Sequence, residues 1–125
     1  MLPKHHIIIG LIASLILLFF ISPFYSLLFF LASVFIDIDH YIWYTLKKKD
    51  FSLKNAYYFL KDKKIKLPLM LFHTLEFHVL ILILGFFWQG ALFLFYGMLL
   101  HSFTDIFDLY KRKKLGNRIF SLILR

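Results

Sequence analysis

Cysteine is absent from the 125-residue sequence, and proline occurs only three times. The lack of cysteine excludes disulfide bonds, iron–sulfur clusters, thiolate zinc sites and a cysteine nucleophile. Any metal ion must therefore be bound through nitrogen and oxygen atoms. Acidic residues are also scarce, since seven Asp and Glu accompany 15 Lys and Arg and leave a net charge of +8. In a soluble protein this imbalance would suggest a nucleic-acid partner.

Long polar stretches are few, because 61% of the residues are apolar and the mean hydropathy is +0.76. A soluble domain of this length is much less apolar. The apolar residues fall in blocks and do not alternate with polar ones, which favours helices over a membrane β-barrel. We therefore predict an all-α integral membrane protein. Anionic lipid and membrane topology then explain the basic residues, and we expect no nucleic-acid partner.

Four apolar segments predict a bundle of four transmembrane helices arranged as two hairpins. The helices are expected at about residues 5–22, 24–40, 67–88 and 91–109. Ser22 and Pro23 form the turn of the first hairpin, and Gln89 and Gly90 that of the second. No small-residue cleavage site follows the first apolar run, so we interpret it as a retained helix and not as a signal peptide.

The segment 41–66 between the hairpins is basic and rich in aromatic residues. Leu53, Ala56, Tyr57 and Leu60 recur in it at spacings of three and four residues, which predicts a short amphipathic helix on the membrane surface. A second basic segment forms the tail at 110–125. The lysine runs in both segments are typical of topology signals and lipid anchors.

The basic residues all fall on one side of this predicted topology. Lys4 precedes the first helix, and the remaining Lys and Arg lie in the central segment or the tail. The two turns on the opposite side contain none. The positive-inside rule therefore places both termini and the central segment in the cytoplasm.

Each predicted helix also has histidines or acidic residues at its cytoplasmic end. They are His5 and His6; Asp37, Asp39 and His40; His73, Glu76 and His78; and His101, Asp105 and Asp108. Ionisable residues at membrane depth are costly unless they are paired or coordinated, and they mark functional sites by default. Since four segments bring such residues to one level, we predict a metal site at the cytoplasmic face.

The spacing of these residues limits which of them share a site. His101 and Asp105 are one helical turn apart and face the same way, so they can bind one ion or bridge two. His73 and Glu76 also share a face. His78 points about 140° away from His73, so both serve one site only if the helix is distorted or several ions surround it.

Other roles are open for several of these residues. His5 and His6 can be interfacial, and His101 with Asp105 can form an interhelical hydrogen bond. Glu76 can be a ligand, a general base or a salt-bridge partner of a lysine. Asp108 can orient a ligand or face the basic tail.

Asp37 and Asp39 can simply end the second helix. Carboxylates at a helix C-terminus oppose the macrodipole, however, so a cation is needed to explain them there.

Four short motifs follow one another in a fixed order along these helix ends. They are an early histidine, at His5 or His6; the run Asp37, Asp39 and His40; two histidines five apart, His73 and His78; and the series Gly97, His101 and Asp105 at spacings of four. In this order the chain resembles the YdjM-like family of inner-membrane metal-dependent hydrolases, which is distantly similar to zinc-dependent phospholipase C and P1 nuclease. The resemblance covers most of the chain.

The resemblance implies a hydrolase whose metal ligands match the family's motifs. They are His5, Asp37, Asp39, His40, His73, His78, His101 and Asp105. Thr74 and Val79 stand where the family has an arginine and a small polar residue. A phosphate-binding arginine is therefore not carried over to this chain.

Our first functional hypothesis is a metal-dependent hydrolase that acts on a phosphoester, such as an anionic phospholipid, at the cytoplasmic leaflet. We expect two divalent ions, with zinc favoured and manganese or iron as alternatives. Glu76 is the candidate general base. The second hypothesis is a non-catalytic metal-stabilised membrane protein or a small carrier. Haem ligation is disfavoured, because several carboxylates accompany the histidines.

Overall fold

The structure is a computed structural model, and it describes residues 3–61 and 70–111. These residues contain helices and no strand, which confirms the all-α class. The helices are α1 (Pro3–Leu17), α2 (Pro23–Phe35), α3 (Ile38–Lys48), α4 (Leu53–Lys61), α5 (Leu75–Gly85) and α6 (Gln89–Lys111), and a short 3₁₀ helix at Leu71–His73 precedes α5. The basic tail after residue 111, residues 62–66 of the central segment and residues 67–69 of the third predicted helix lie outside the described residues.

Two segments of the described chain are long and apolar enough to cross a membrane. They are Pro23–Lys48, which includes α2 and α3, and Gln89–Lys111. The apolar helices at Lys4–Leu17 and Leu75–Gly85 are shorter. Many large apolar side chains on these helices are exposed, while the most buried side chains are His101, Thr74 and Ser33. A soluble protein buries the opposite kinds of residue.

The second predicted helix, at 24–40, is interrupted. α2 ends at Phe35, a turn follows at Ile36 and Asp37, and α3 begins at Ile38. Asp39 therefore lies in the first turn of a new helix, where a carboxylate interacts favourably with the macrodipole. The expectation that both aspartates end a helix was wrong, and the structure instead places Asp37 directly before α3 and Asp39 inside it.

The third predicted helix, at 67–88, is also interrupted. Thr74 has an extended backbone with φ −81° and ψ 151°, and its hydroxyl accepts a hydrogen bond from the Phe77 N–H. This is an N-cap, so α5 begins after Thr74 and leaves His73 in the 3₁₀ helix. The first predicted helix, at 5–22, is shorter in the structure as well, because α1 ends at Leu17.

Helices α2 and α6 approach each other closely at Gly97. A Cβ atom at this position would overlap the carbonyl oxygen of Phe29 and touch the side chain of Ala32. His101 and Asp105 follow Gly97 at intervals of four, and both are buried. The glycine thus brings the face of α6 that contains these two residues against α2.

The amphipathic helix predicted in the central segment corresponds to α4. Ala56 is buried, while Leu53 and Tyr58 are exposed. α3 and α4 form a hairpin whose turn begins at Lys49, a residue in the left-handed conformation with φ 52°. Residues 41–48, predicted as part of a loop, belong to α3.

Candidate metal centre

Histidines and aspartates from five parts of the fold meet at one place. α1 contributes His6, the turn before α3 contributes Asp37, and the 3₁₀ helix contributes His73. The remaining residues come from α3 and α6. Three overlapping groups have ligand atoms that lie within 4.8 Å of one another: His6, His101 and Asp105; Asp37, His73 and His101; and Asp39, His40 and His73.

The orientation of His101 is determined by the break between α2 and α3. Because α2 ends at Phe35, the carbonyl groups of its last turn have no amide partner within the helix. One of them, the Ser33 carbonyl, accepts a hydrogen bond of 2.8 Å from Nδ1 of His101. A carbonyl can only accept, so Nδ1 of His101 has the hydrogen and Nε2 of the neutral ring has none.

A similar constraint applies to His6. The Thr104 hydroxyl donates to the His101 carbonyl at 2.8 Å and lies 3.1 Å from Nδ1 of His6. Since the hydroxyl hydrogen is used in the first contact, Thr104 accepts from Nδ1–H of His6, and Nε2 of the neutral His6 ring has no hydrogen. That nitrogen lies 3.0 Å from Oδ1 of Asp105. The rings of His6 and His101 stack, with centroids 3.9 Å apart.

Asp39 holds the segment around His73. Its Oδ2 accepts a hydrogen bond from the Phe72 N–H at 3.2 Å and lies 3.3 Å from Nδ1 of His73. Its Oδ1 lies 2.8 Å from Nδ1 of His40. A hydrogen on Nδ1 of His73 would leave Nε2 of that ring as an acceptor, as in His6 and His101. Carboxylates that orient histidines in this way are common around metal ions.

Asp37 occupies the centre of the arrangement. Its Oδ1 lies 3.3 Å from Nε2 of His73, 3.4 Å from Nε2 of His101 and 3.5 Å from Nδ1 of His40. The carboxylate thus contacts histidines of all three groups. A carboxylate at this position could be shared between neighbouring ligand groups.

In the contact between His101 and Asp37, two hydrogen-bond acceptors, the ring nitrogen Nε2 and the carboxylate oxygen Oδ1, lie next to each other. Nε2 of His101 has no hydrogen, and it lies near Asp37 Oδ1, near His73 Nε2 at 3.3 Å and near Asp105 Oδ2 at 3.8 Å. Lone pairs at such distances repel unless a hydrogen or a cation lies between them. Two ligands of one tetrahedral zinc ion, each bonded at about 2.1 Å, lie about 3.4 Å apart. The spacing therefore fits a shared metal ion.

Burial differs between the two sides of the cluster. The side chains of His101 and His73 are almost inaccessible, whereas 26% of the Asp37 side chain is exposed. Asp39 and His40 are also partly exposed. Access from outside is therefore on the Asp37 side, and the group around His101 is enclosed.

Several predicted site residues lie elsewhere. His5 is exposed, whereas its neighbour His6 is buried and belongs to the cluster. Among the described residues, His78, Glu76 and Asp108 belong to none of the three groups. Glu76 is partly buried in the first turn of α5.

The residues that orient the histidines were not among those predicted from the sequence. These are Thr104, Ser33 through its carbonyl, and, around His78, Ser102 and Thr74. Ser102 and Thr74 each follow a histidine directly in the sequence. The signal is weak, because hydroxyl residues are common in membrane helices and only the three-dimensional structure shows which ones contact a ring.

No protein-family model, curated protein or solved structure matches the chain. The resemblance to the YdjM-like family thus stays a prediction, and the functional argument depends on the geometry of the cluster. Buried groups of His and Asp that could hold a metal ion are present. Their ligands are imidazole and carboxylate groups, which suit zinc, manganese or iron.

Proposed function

We propose that this chain is a membrane-embedded metal-dependent hydrolase that acts on a phosphoester at the cytoplasmic leaflet. The observation that carries the proposal is the contact between Nε2 of His101 and the Asp37 carboxylate, 3.4 Å apart, in a ring whose hydrogen is on Nδ1 and is directed to the Ser33 carbonyl. Protons could replace a metal only if several rings were charged together in one buried site. One divalent ion satisfies the same lone pairs at lower cost.

The cluster contains enough candidate ligands for two ions. One set is His6, His101 and Asp105, and the other is Asp39, His40 and His73, with Asp37 between them. Zinc suits these ligands best. A divalent ion here supplies Lewis-acid polarisation of a phosphoryl oxygen and activation of a water molecule.

The proposed membrane arrangement has four helices in two hairpins, with both termini in the cytoplasm of an inner membrane. The 11 residues of α5 extend only about 16 Å, against a hydrocarbon core of about 30 Å. Flanking residues or local thinning of the bilayer must therefore complete this crossing. Lys47, Lys48 and Lys49 are exposed at the C-terminal end of α3, the helix that contains Asp39 and His40, and they agree with a cytoplasmic surface at that end.

The substrate class follows from this placement. A site at the membrane boundary, open on the Asp37 side and joined to a lysine-rich hairpin, is suited to an anionic phospholipid headgroup. Glu76 is the candidate general base, and it is three residues from His73 in sequence. It has no metal contact in this proposal.

Metal analysis of matched variants tests the site. His5 and His6 are adjacent and identical in chemistry, but only His6 lies in the cluster. Elemental analysis of detergent-purified protein should find metal in the wild type and in His5→Ala, and a clear loss in His6→Ala. Absence of bound metal from the wild type, after incubation with zinc, manganese and iron in turn, would overturn the metal site.

Turnover of a lipid tests the hydrolase. Metal-loaded protein in nanodiscs of phosphatidylcholine and phosphatidylglycerol should release a phosphorus-containing product, and Glu76→Gln should reduce the rate while metal content is unchanged. The enclosure of His101 favours a second candidate, a metal ion that only stabilises the bundle, since structural sites are closed. Bound metal without turnover of phosphodiester or phosphomonoester lipids would favour this candidate.

A further inference from the structure

His78 is buried between α5 and α6, and both of its ring nitrogens have partners. Nδ1 lies 2.8 Å from the carbonyl oxygen of Thr74, and Nε2 lies 3.1 Å from the hydroxyl of Ser102. The carbonyl can only accept, so Nδ1 has the hydrogen. Nε2 of the neutral ring therefore accepts a hydrogen bond from Ser102. The lone pair that a metal ion would need is engaged by a hydroxyl group.

The two partners of His78 are the residues that directly follow two cluster histidines. Thr74 follows His73, and Ser102 follows His101. The ring of His78 thus connects the end of the 3₁₀ helix to α6 at the level of the cluster. The Nε2 atoms of His73 and His101, the residues directly before these two partners, lie 3.3 Å apart.

Apolar contacts alone leave the position of α5 poorly determined. The helix has apolar residues on all sides, and in a membrane its surfaces in contact with lipid or with protein differ little in free energy. Apolar packing therefore says little about how α5 is rotated or shifted against α6. The hydrogen bond from Ser102 to His78 specifies one rotation and one register. The Thr74 N-cap then fixes where the helix starts relative to His73.

We propose that His78 and Ser102 form a positioning pair that sets the spacing of His73 and His101, and that His78 is not a metal ligand. The inference rests on the proposed metal site. It deepens that proposal, because it identifies what holds the two halves of the site together. His73 and His101 come from different hairpin arms, and the pair is a polar connection between those arms.

Metal affinity and ligand count together test the pair. We expect His78→Leu and Ser102→Ala each to weaken zinc binding about 10- to 100-fold in a chelator competition, the range for residues that orient ligands. X-ray absorption of the zinc-loaded variants should show the same number of imidazole ligands as the wild type. The double variant should bind zinc no more weakly than the weaker single variant, since each change breaks the same hydrogen bond.

Two further variants separate positioning from general stability. Ser102→Thr keeps the hydroxyl and should restore wild-type affinity. Tyr25→Phe removes another hydrogen bond to α6, from Tyr25 to Gln89 at 3.0 Å, and should leave zinc affinity unchanged. If His78→Leu does not fold, Ser102→Ala, which removes a single oxygen atom, provides the same comparison.

Three results would overturn the inference. One is the loss of one imidazole from the zinc shell in His78→Leu, which would make His78 a ligand. Another is zinc affinity within twofold of the wild type in Ser102→Ala. The third is a ¹⁵N NMR spectrum that shows the hydrogen of His78 on Nε2. These outcomes leave the proposed function standing, whereas a wild-type protein that binds no metal would overturn both.

Discussion

The carboxylates of Asp50, in the turn between α3 and α4, and of Asp37, in the histidine cluster, differ in the groups that face their oxygen atoms. In the turn between α3 and α4, Asp50 accepts hydrogen bonds from the Tyr44 hydroxyl at 2.6 Å, the Asn55 amide at 2.8 Å and the Ser52 N–H at 2.9 Å. These three neighbours are donors. The Tyr44 hydroxyl, together with the Asn55 and Ser52 donors, holds the pKa of Asp50 below its usual range.

In the cluster, the neighbours of Asp37 are imidazole nitrogens, and at His101 the facing nitrogen has no hydrogen. The charge on Asp50 is satisfied by protein donors, whereas in the proposed site the charge on Asp37 is balanced by a metal ion. The balance of hydrogen-bond donors and acceptors around a carboxylate therefore distinguishes a structural carboxylate from a candidate metal ligand. The number of acidic residues does not.

The same substitution at the two aspartates should give the largest difference. Asp37→Asn removes the central ligand charge and should weaken zinc binding by at least about 100-fold, more than the loss of an orienting residue. Asp50→Asn should leave zinc binding within about twofold. The measurement is zinc competition with a chelator in detergent. Equal affinities in the two variants would contradict the distinction drawn between the two sites.

Removal of the metal should destabilise the cluster without affecting the α3–α4 turn. A ligand present at about 1,000 times its dissociation constant stabilises the folded state by about 4 kcal/mol. Chelator treatment should lower the thermal midpoint of the wild type and of Asp50→Asn by a similar amount. The midpoint of His6→Ala should hardly respond, because that variant has already lost the ligand. A large chelator effect in His6→Ala would place the metal elsewhere.

Gly97→Ala should have a moderate effect on the cluster through α2. The added Cβ would overlap the Phe29 carbonyl, and overpacking of this kind costs about 1–3 kcal/mol. Moving α6 away from α2 should also lengthen the hydrogen bond from His101 to Ser33 and weaken zinc binding. Gly85→Ala is the control for overpacking, because the atoms nearest to its Cβ belong to Leu92, nine residues before His101 on α6. Zinc affinity should fall in Gly97→Ala alone.

The sequence predicted those parts of the fold that local patterns determine. The helical class, the start of a helix at Pro23, and the short helix around Leu53 and Ala56 depend on residue type and spacing over a few positions. The break at Asp37 was not predicted. The apolar residues on both sides of Asp37 predict one continuous helix. The Ser33 carbonyl, which the break leaves without a partner in α2, accepts a hydrogen bond from His101 of α6, which is distant in sequence.

The choice between His5 and His6 also required the structure. Both residues precede the same apolar run, and only the rotation of α1 against α6 decides which one points inward. For His78 the sequence did contain a useful signal, because its spacing from His73 predicts different faces on a regular helix. The structure separates the two residues by the Thr74 N-cap and directs His78 towards Ser102.

The smallest expected effect is that of acid on the α3–α4 turn. Because the folded-state pKa of Asp50 is depressed, its ionised form stabilises the turn at any pH above the ordinary value of about 3.9. This contribution declines as the pH falls below that value and disappears below the folded-state pKa. Trp43 packs near Phe59 of α4, with ring centroids 5.9 Å apart, and its fluorescence reports on the hairpin.

In a Trp88→Phe background, which leaves Trp43 as the sole tryptophan, the emission should therefore be constant from neutral pH to about pH 4 and change only below it. Asp50→Asn cannot ionise and should lack the transition. A change that persists in Asp50→Asn would assign the acid response to other carboxylates, and a transition near pH 6 would point to histidines. Either result would mean that donors do not satisfy Asp50 as the geometry indicates, and the contrast with Asp37 would then be weaker than the distances suggest.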